Sequence, residues 1–224
     1  MNSSTGHAAR KIRLLMQLRR AGIAETDVLS AIERIPREVF VPKAFEDQAY
    51  ENTALPIGKG QTLSQPEVVA VMTQALAVDR RLKVLEVGTG SGYQAAVLSR
   101  LCRRLYTIER HKELLEDAEA RFLKLRLHNI TTRVGDGAEG WPEQAPFSRI
   151  IVTAAAAQVP GALIDQLGPG GIMVVPVGRR SGVQELLRLT RTESGVQEEN
   201  LGPVRFVPLV KALGEAGRGW PLVV

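Results

Sequence analysis

Gly88, Gly90 and Gly92 recur at every second position, directly after the apolar run Lys83-Val84-Leu85-Glu86-Val87 and before a stretch of helical spacing from Tyr93 to Leu101. Glycines between a strand and a helix permit positive φ and let the backbone approach a ligand with no Cβ in the way. A dinucleotide fingerprint would need its third glycine at position 93, which is Tyr. The spacing therefore suits a nucleoside without a pyrophosphate better than NAD, with a plain glycine-rich turn as the alternative. Glu109 closes a second apolar run about 20 positions on, where a carboxylate can accept hydrogen bonds from both ribose hydroxyls. Alone it would read as a solvated acid at a strand end. Gly135-Asp136-Gly137 follows a third run. Asp136 there is either an acceptor for an adenine amino group or part of a common Asp-Gly turn.

A second set of residues suits a carboxylate acceptor. Ser64-Gln65-Pro66-Glu67 has the form of a capping box, with Ser at the N-cap and Glu at N3 of the following helix. The same placement would bring a hydroxyl and free backbone N–H groups to one spot, where they could orient an anion. Thr153 and the small residues Ala154 to Ala156 follow a further apolar run; they either leave room for an extended polypeptide or pack tightly as a strand end. No His occurs in the glycine, Asp-Gly or Gln61–Ser64 segments. A carboxylate nucleophile needs none, because with a pKa near 4 it is ionised at neutral pH.

Elements must hold these residues together. Val28, Leu29, Ile32 and Ile35 before Pro36 predict a helix, and so do Ile12, Leu14, Leu15, Met16 and Leu18 before Gly22. Residues 50–65, broken by Pro56, Gly58 and Gly60, are too irregular for a long helix or strand, and Pro66 opens another helix. Strands are predicted at 83–87, 105–109, 130–134, 149–152 and 172–177, with helices at 93–101 and 112–125. That alternation implies an α/β, doubly wound, mainly parallel sheet. The last 45 or so residues read as strand-rich, with 185–191 alternating and Val204 to Leu209 apolar. One domain is expected: a helical extension over 1–80, the sheet over 81–213 and a tail over 214–224.

Composition narrows the class. With 44% hydrophobic and 24% charged residues, the 224-residue chain is ordinary for a folded domain. The net charge of +5 is spread along the chain without an arginine-rich arm, so no specific nucleic acid partner is expected. One cysteine, Cys102, permits no intrachain disulfide, and His7, His111 and His128 are too scattered for a metal site. No run of about 18 apolar residues occurs and the start is polar, so no membrane association and a cytoplasmic location are expected.

The three loops, in this order, resemble those of class I S-adenosylmethionine-dependent methyltransferases. The resemblance then narrows: Ala54-Leu55-Pro56-Ile57-Gly58-Lys59-Gly60-Gln61-Thr62-Leu63-Ser64-Gln65-Pro66, residues 84–96, and Ile150 to Ala156 are similar to segments of protein-L-isoaspartate O-methyltransferases. Ile35 to Pro42 and Val204 to Val210 match in order as well. The resemblance implies a Rossmann-like fold and S-adenosyl-L-methionine held by Glu86, Gly88, Thr89, Gly90, Ser91, Gly92, Glu109, Asp136 and Gly137. It further implies methyl transfer to the free carboxylate of L-isoaspartyl or D-aspartyl residues in damaged proteins. Ser64 matches the family's active-site serine, and Gln61, Thr62, Leu63, Thr153 and Ala154 would face the acceptor. A methyltransferase for another acceptor, a small molecule or RNA, would share the cofactor loops. The Asp/Asn-Pro-Pro-Tyr/Phe loop common where nucleic-acid amines are methylated does not occur here.

Overall fold

Alternating apolar side chains on three adjacent strands divide the core in two. Val84, Ile151 and Val174 point into one cluster, while Leu85, Ile150, Val152, Met173 and Val175 point into the other. A strand buried on both faces needs helices on both, which is the arrangement found. The computed structural model describes residues 3–179 and 182–210; the 214–224 tail lies outside them.

The chain opens with helices α1 (Ser3–Arg20) and α2 (Thr26–Arg34), followed by the short hairpin β1 (Leu55–Gly58) and β2 (Gln61–Leu63), then α3 (Pro66–Leu76). Next come β3 (Lys83–Val87), α4 (Tyr93–Ser99), β4 (Arg104–Glu109), α5 (Lys112–Lys124) and β5 (Ile130–Val134). The chain continues with β6 (Phe147–Val152), α6 (Gly161–Asp165), β7 (Leu167–Val177), β8 (Gln184–Thr192) and β9 (Gly195–Val204). The seven-stranded sheet has the order β5-β4-β3-β6-β7-β8-β9. Its pairings are parallel from β5 through β7 and antiparallel for β7–β8 and β8–β9. The chain winds outward from β3 to β5 and then returns to β6 on the other side of β3. A crevice opens where winding reverses, at the carboxyl end of β3, and this is where open α/β sheets bind ligands.

The predicted helices and parallel strands form close to their expected bounds. Residues of α1, α2 and α3 share one apolar cluster with the sheet, so the front of the chain is packed onto it. In α1 the buried stripe is Leu14 and Leu18, whereas Ile12 and Met16 are 59% and 50% exposed, because the helix packs against α2 by one narrow face. Val204 to Leu209 does not form a strand. β9 ends at Val204, and the following residues join the structure at separate points: a bridge between Pro208 and Ala155, the Phe206 N–H donated to Gln184 Oε1, and the Val210 carbonyl accepting from Arg110. Cys102 is buried, and burial pushes its thiol up to about 12, consistent with an inert structural side chain.

The start of α3 differs from the expected capping box. Pro66 occupies the first helical position, which makes Gln65 rather than Ser64 the N-cap, and no side-chain cap comes from Gln65. Asn52 takes that part from outside the helix: its Oδ1 accepts from the Glu67 N–H at 3.0 Å and its Nδ2 donates to Glu67 Oε2 at 2.6 Å. Replacing Asn52 by Ala leaves that N–H unsatisfied and is expected to cost about 1 kcal/mol, read by denaturant unfolding.

Candidate active site

The turn after β3 is built around two glycines with different duties. Gly88 has φ +95°, and a Cβ there would lie 2.4 Å from Thr153 Oγ1. The space is reserved for the Thr153 hydroxyl, which is 2.6 Å from Gly88 O and 3.0 Å from Val87 O and donates to these carbonyls. The loop after β6 is thereby fastened to the loop after β3. Gly92 has φ +90°, and a Cβ would sit 2.7 Å from Phe122 Cε1. Its duty is the close packing of α4 on α5, and it is not among the residues lining the cleft.

Glu109 is delivered by β4 beside this turn. Its Oε2 accepts from the Gly90 N–H at 2.8 Å and its Oε1 from the His111 N–H at 2.9 Å. A carboxylate has about four lone-pair positions, so roughly two remain for a ligand's neighbouring hydroxyls. Glu86 lies below the turn rather than in the cleft. It is fully buried, accepts at 2.5 Å from the Thr107 hydroxyl, and through Thr107 reaches Thr89 at 2.7 Å. Because Thr107 donates to Glu86, it accepts from Thr89, and this chain pins one residue of the glycine turn. Burial pushes the Glu86 carboxyl up to about 8, the Thr107 donation opposes the shift, and the Glu109 charge adds to it.

Asp136 accepts from the Ala138 N–H at 2.9 Å and caps the short turn at 137–139. Gly137 lines the cleft whereas Asp136 does not.

Gln61, Thr62, Leu63 and Ser64 line the same cleft, which holds about 850 Å³ including its open mouth. Thr89, Ser91, Thr153 and Ala154 also line it. Thr62 and Ser64 border a second cavity with Ala54, Val68, Arg205 and Phe206 as well. The Ser64 carbonyl accepts at 2.8 Å from Arg37 Nη2. A further wall comes from Val207 to Val210, held by the Ala155 N–H to Val207 O and the Leu209 N–H to Ala155 O at 2.8 and 2.7 Å. Tyr93 and Gln94, inside the matched segment 84–96, and Val69 and His111 line the cleft too, although none of the four was expected as a site residue. His111 had a signal, since it stands just past a strand's carboxyl end; Val69 and Tyr93 read only as core residues. Among the described residues no group of three or more His, Cys, Asp or Glu is placed to hold a metal, and no helix is long and apolar enough to cross a membrane.

Similarity to known proteins follows the same residues. The sequence profile of the family described as Protein-L-isoaspartate(D-aspartate) O-methyltransferase matches residues 9–214. A Paramagnetospirillum magneticum protein named Protein-L-isoaspartate O-methyltransferase is 66% identical over 207 residues, covering 92% of this chain and 97% of that protein. One of the same name from Rhodospirillum centenum is 66% identical over 204 residues, covering 91% and 92%. A solved protein-L-isoaspartate O-methyltransferase superposes with a TM-score of 0.80 at 27% identity, over 88% of this chain and 65% of that one. A Plasmodium falciparum protein solved with S-adenosyl-L-homocysteine has the same fold, with a TM-score of 0.78 at 24% identity, over 89% of this chain and 98% of that one. With the profile spanning the glycine turn, Glu109 and the Ser64 wall alike, the chain belongs to the protein-L-isoaspartate O-methyltransferase family.

Proposed function

We propose that this chain is a repair enzyme that moves a methyl group from S-adenosyl-L-methionine to the free carboxylate of L-isoaspartyl and D-aspartyl residues in damaged polypeptides. The observation that carries the reading is that the glycine turn, Glu109 and Gln61 to Ser64 all line one cleft. The methyl ester so formed collapses without the enzyme to a succinimide, whose hydrolysis returns part of the residue to normal aspartate. A cytoplasmic setting is part of the proposal, in keeping with a lone buried thiol.

The residues present suit the cofactor. The backbone of Gly88 to Ser91 can approach a nucleoside closely, and the free lone pairs of Glu109 can accept from ribose hydroxyls. Gly137, beside the cap made by Asp136, closes the base end. Glu86 and Gly92 serve the turn from beneath and behind rather than touching the ligand. The cofactor supplies a methyl carbon bonded to a positively charged sulfur, so that an ionised carboxylate oxygen can displace a neutral thioether. No side chain is needed as a base. The protein's task is to bring the reactants into line and keep water away. Leu63, Val69, Val207 and Leu209 provide apolar walls, and the Ser64 hydroxyl orients the carboxylate as a hydrogen-bond donor. Thr62, Gln61 and Ala154 border the acceptor's path, and Thr153 holds the two loops in register.

The test offers an isoaspartyl peptide and its aspartyl twin with methyl-labelled cofactor. The expected result is labelling of the first alone, released as methanol in mild base. Equal labelling of the twins, or a base-stable product, overturns the reading. Ser64→Ala is expected to lower turnover about 10-fold to 100-fold while cofactor affinity and unfolding midpoint stay put. Unchanged turnover removes Ser64 from the reaction.

A further inference from the structure

Arg37 is among the largest side chains sealed in the molecule, at 0% exposure, and the reaction as described does not use it. Its Nη2 donates to Ser64 O at 2.8 Å, and its guanidinium carbon lies 4.7 Å from the centre of the Tyr93 ring. Both partners line the cleft. Arg37 Nε and Nη1 are buried and make no well-formed hydrogen bond among the described residues. Burial works against the charge; Tyr93, which faces the guanidinium and is placed to hydrogen-bond it, and then Tyr50 favour it, and no carboxylate does. Glu38, next in the chain, is held at 2.5 Å by the Tyr50 hydroxyl. A buried cation is costly unless paired, and a guanidinium does not escape by losing its proton.

We propose that Arg37 is the positioning residue for the acceptor: it fixes the Ser64 backbone and supplies the positive charge that draws a carboxylate to that wall, its counter-ion arriving only with the substrate. The inference rests on the isoaspartyl reading above. The guanidinium bond orients and polarises the Ser64 peptide group. In a low-dielectric interior its charge also reaches across the few ångströms to a carboxylate beside Ser64. Arg37 acts through Ser64 and Tyr93 and touches no substrate atom.

The experiment measures competition between an isoaspartyl peptide and its carboxamide twin, in the presence of S-adenosyl-L-homocysteine, together with KM and kcat. The unaltered enzyme is expected to favour the acid about 10-fold or more. Arg37→Gln, which retains an N–H donor without the charge, is expected to bring that preference near unity. It should raise KM more than it lowers kcat and leave S-adenosyl-L-homocysteine affinity unchanged. Arg37→Lys keeps the charge and is expected to retain most of the preference. Should Arg37→Gln not fold, Arg37→Met, an apolar chain of similar length, is read in its place. Equal binding of the twins by the unaltered enzyme overturns the proposal whatever the variants do. So does a folded neutral variant that keeps the preference. No methylation of the isoaspartyl peptide by the unaltered enzyme defeats the proposed reaction itself, which is a different failure.

Discussion

Glu109→Ala is expected to weaken binding of S-adenosyl-L-methionine and S-adenosyl-L-homocysteine by about 100-fold or more, measured by calorimetry. Two hydrogen bonds from ribose hydroxyls to a charged acceptor contribute roughly 1.5–3 kcal/mol each, which sets the scale. The loss goes beyond direct contacts. Glu109 also receives the N–H groups of Gly90 and His111, so the alanine variant releases both sides of the pocket rim. Glu109→Gln keeps the shape and one acceptor oxygen, and should fall between the two. Affinity within about threefold of the parent in the alanine variant would mean that the nucleoside is held elsewhere.

Glu86→Gln is expected to change how stability depends on pH. The folded carboxyl titrates near 8, above its ordinary 4.5, because it is buried, with the Glu109 charge adding to the shift. The native protein therefore keeps a proton that the unfolded chain gives up. Stability is unaffected by this group below about 4.5, falls as pH rises toward 8, and carries the whole cost above that. A shift of that size corresponds to a cost on the order of 5 kcal/mol. The amide is neutral throughout and still accepts from Thr107. The variant should match the parent at pH 5 and exceed it clearly at pH 9 in denaturant unfolding. Stability curves that run parallel from pH 5 to pH 9 would show that Glu86 is not held protonated.

Local patterns carried much of the site. The glycine turn and Glu109 were legible because a strand, a close backbone approach and an acid at the next strand's end follow one another at short range. The parallel strands were legible because they are buried on both faces and read as unbroken apolar runs. What local pattern missed was set by distant contacts. Ser64 matched the capping-box spacing, yet Pro66 starts the helix one residue later than that spacing requires and Asn52 supplies the cap. Gly92 belonged to a ligand motif by spacing, and only the arrival of Phe122 shows that helix packing demands it. Arg37 lay inside a matched segment but was given no role, since an arginine beside a helix end reads as solvent-facing. Val204 to Leu209 has strand composition, but the wall it forms is held at isolated points rather than by a ladder.

The first turn of α3 depends on a side chain 15 residues upstream, and the segment before it is tied to Arg37, further upstream still. A helix start that waits on remote partners cannot nucleate by itself. The acceptor wall should accordingly assemble after the sheet has formed and loosen before it melts. Amide exchange would register this as earlier deuterium uptake at Thr62 to Glu67 than along β3 and β6, a margin of local looseness beside a rigid nucleoside pocket that would let the wall adapt to damaged chains of differing sequence.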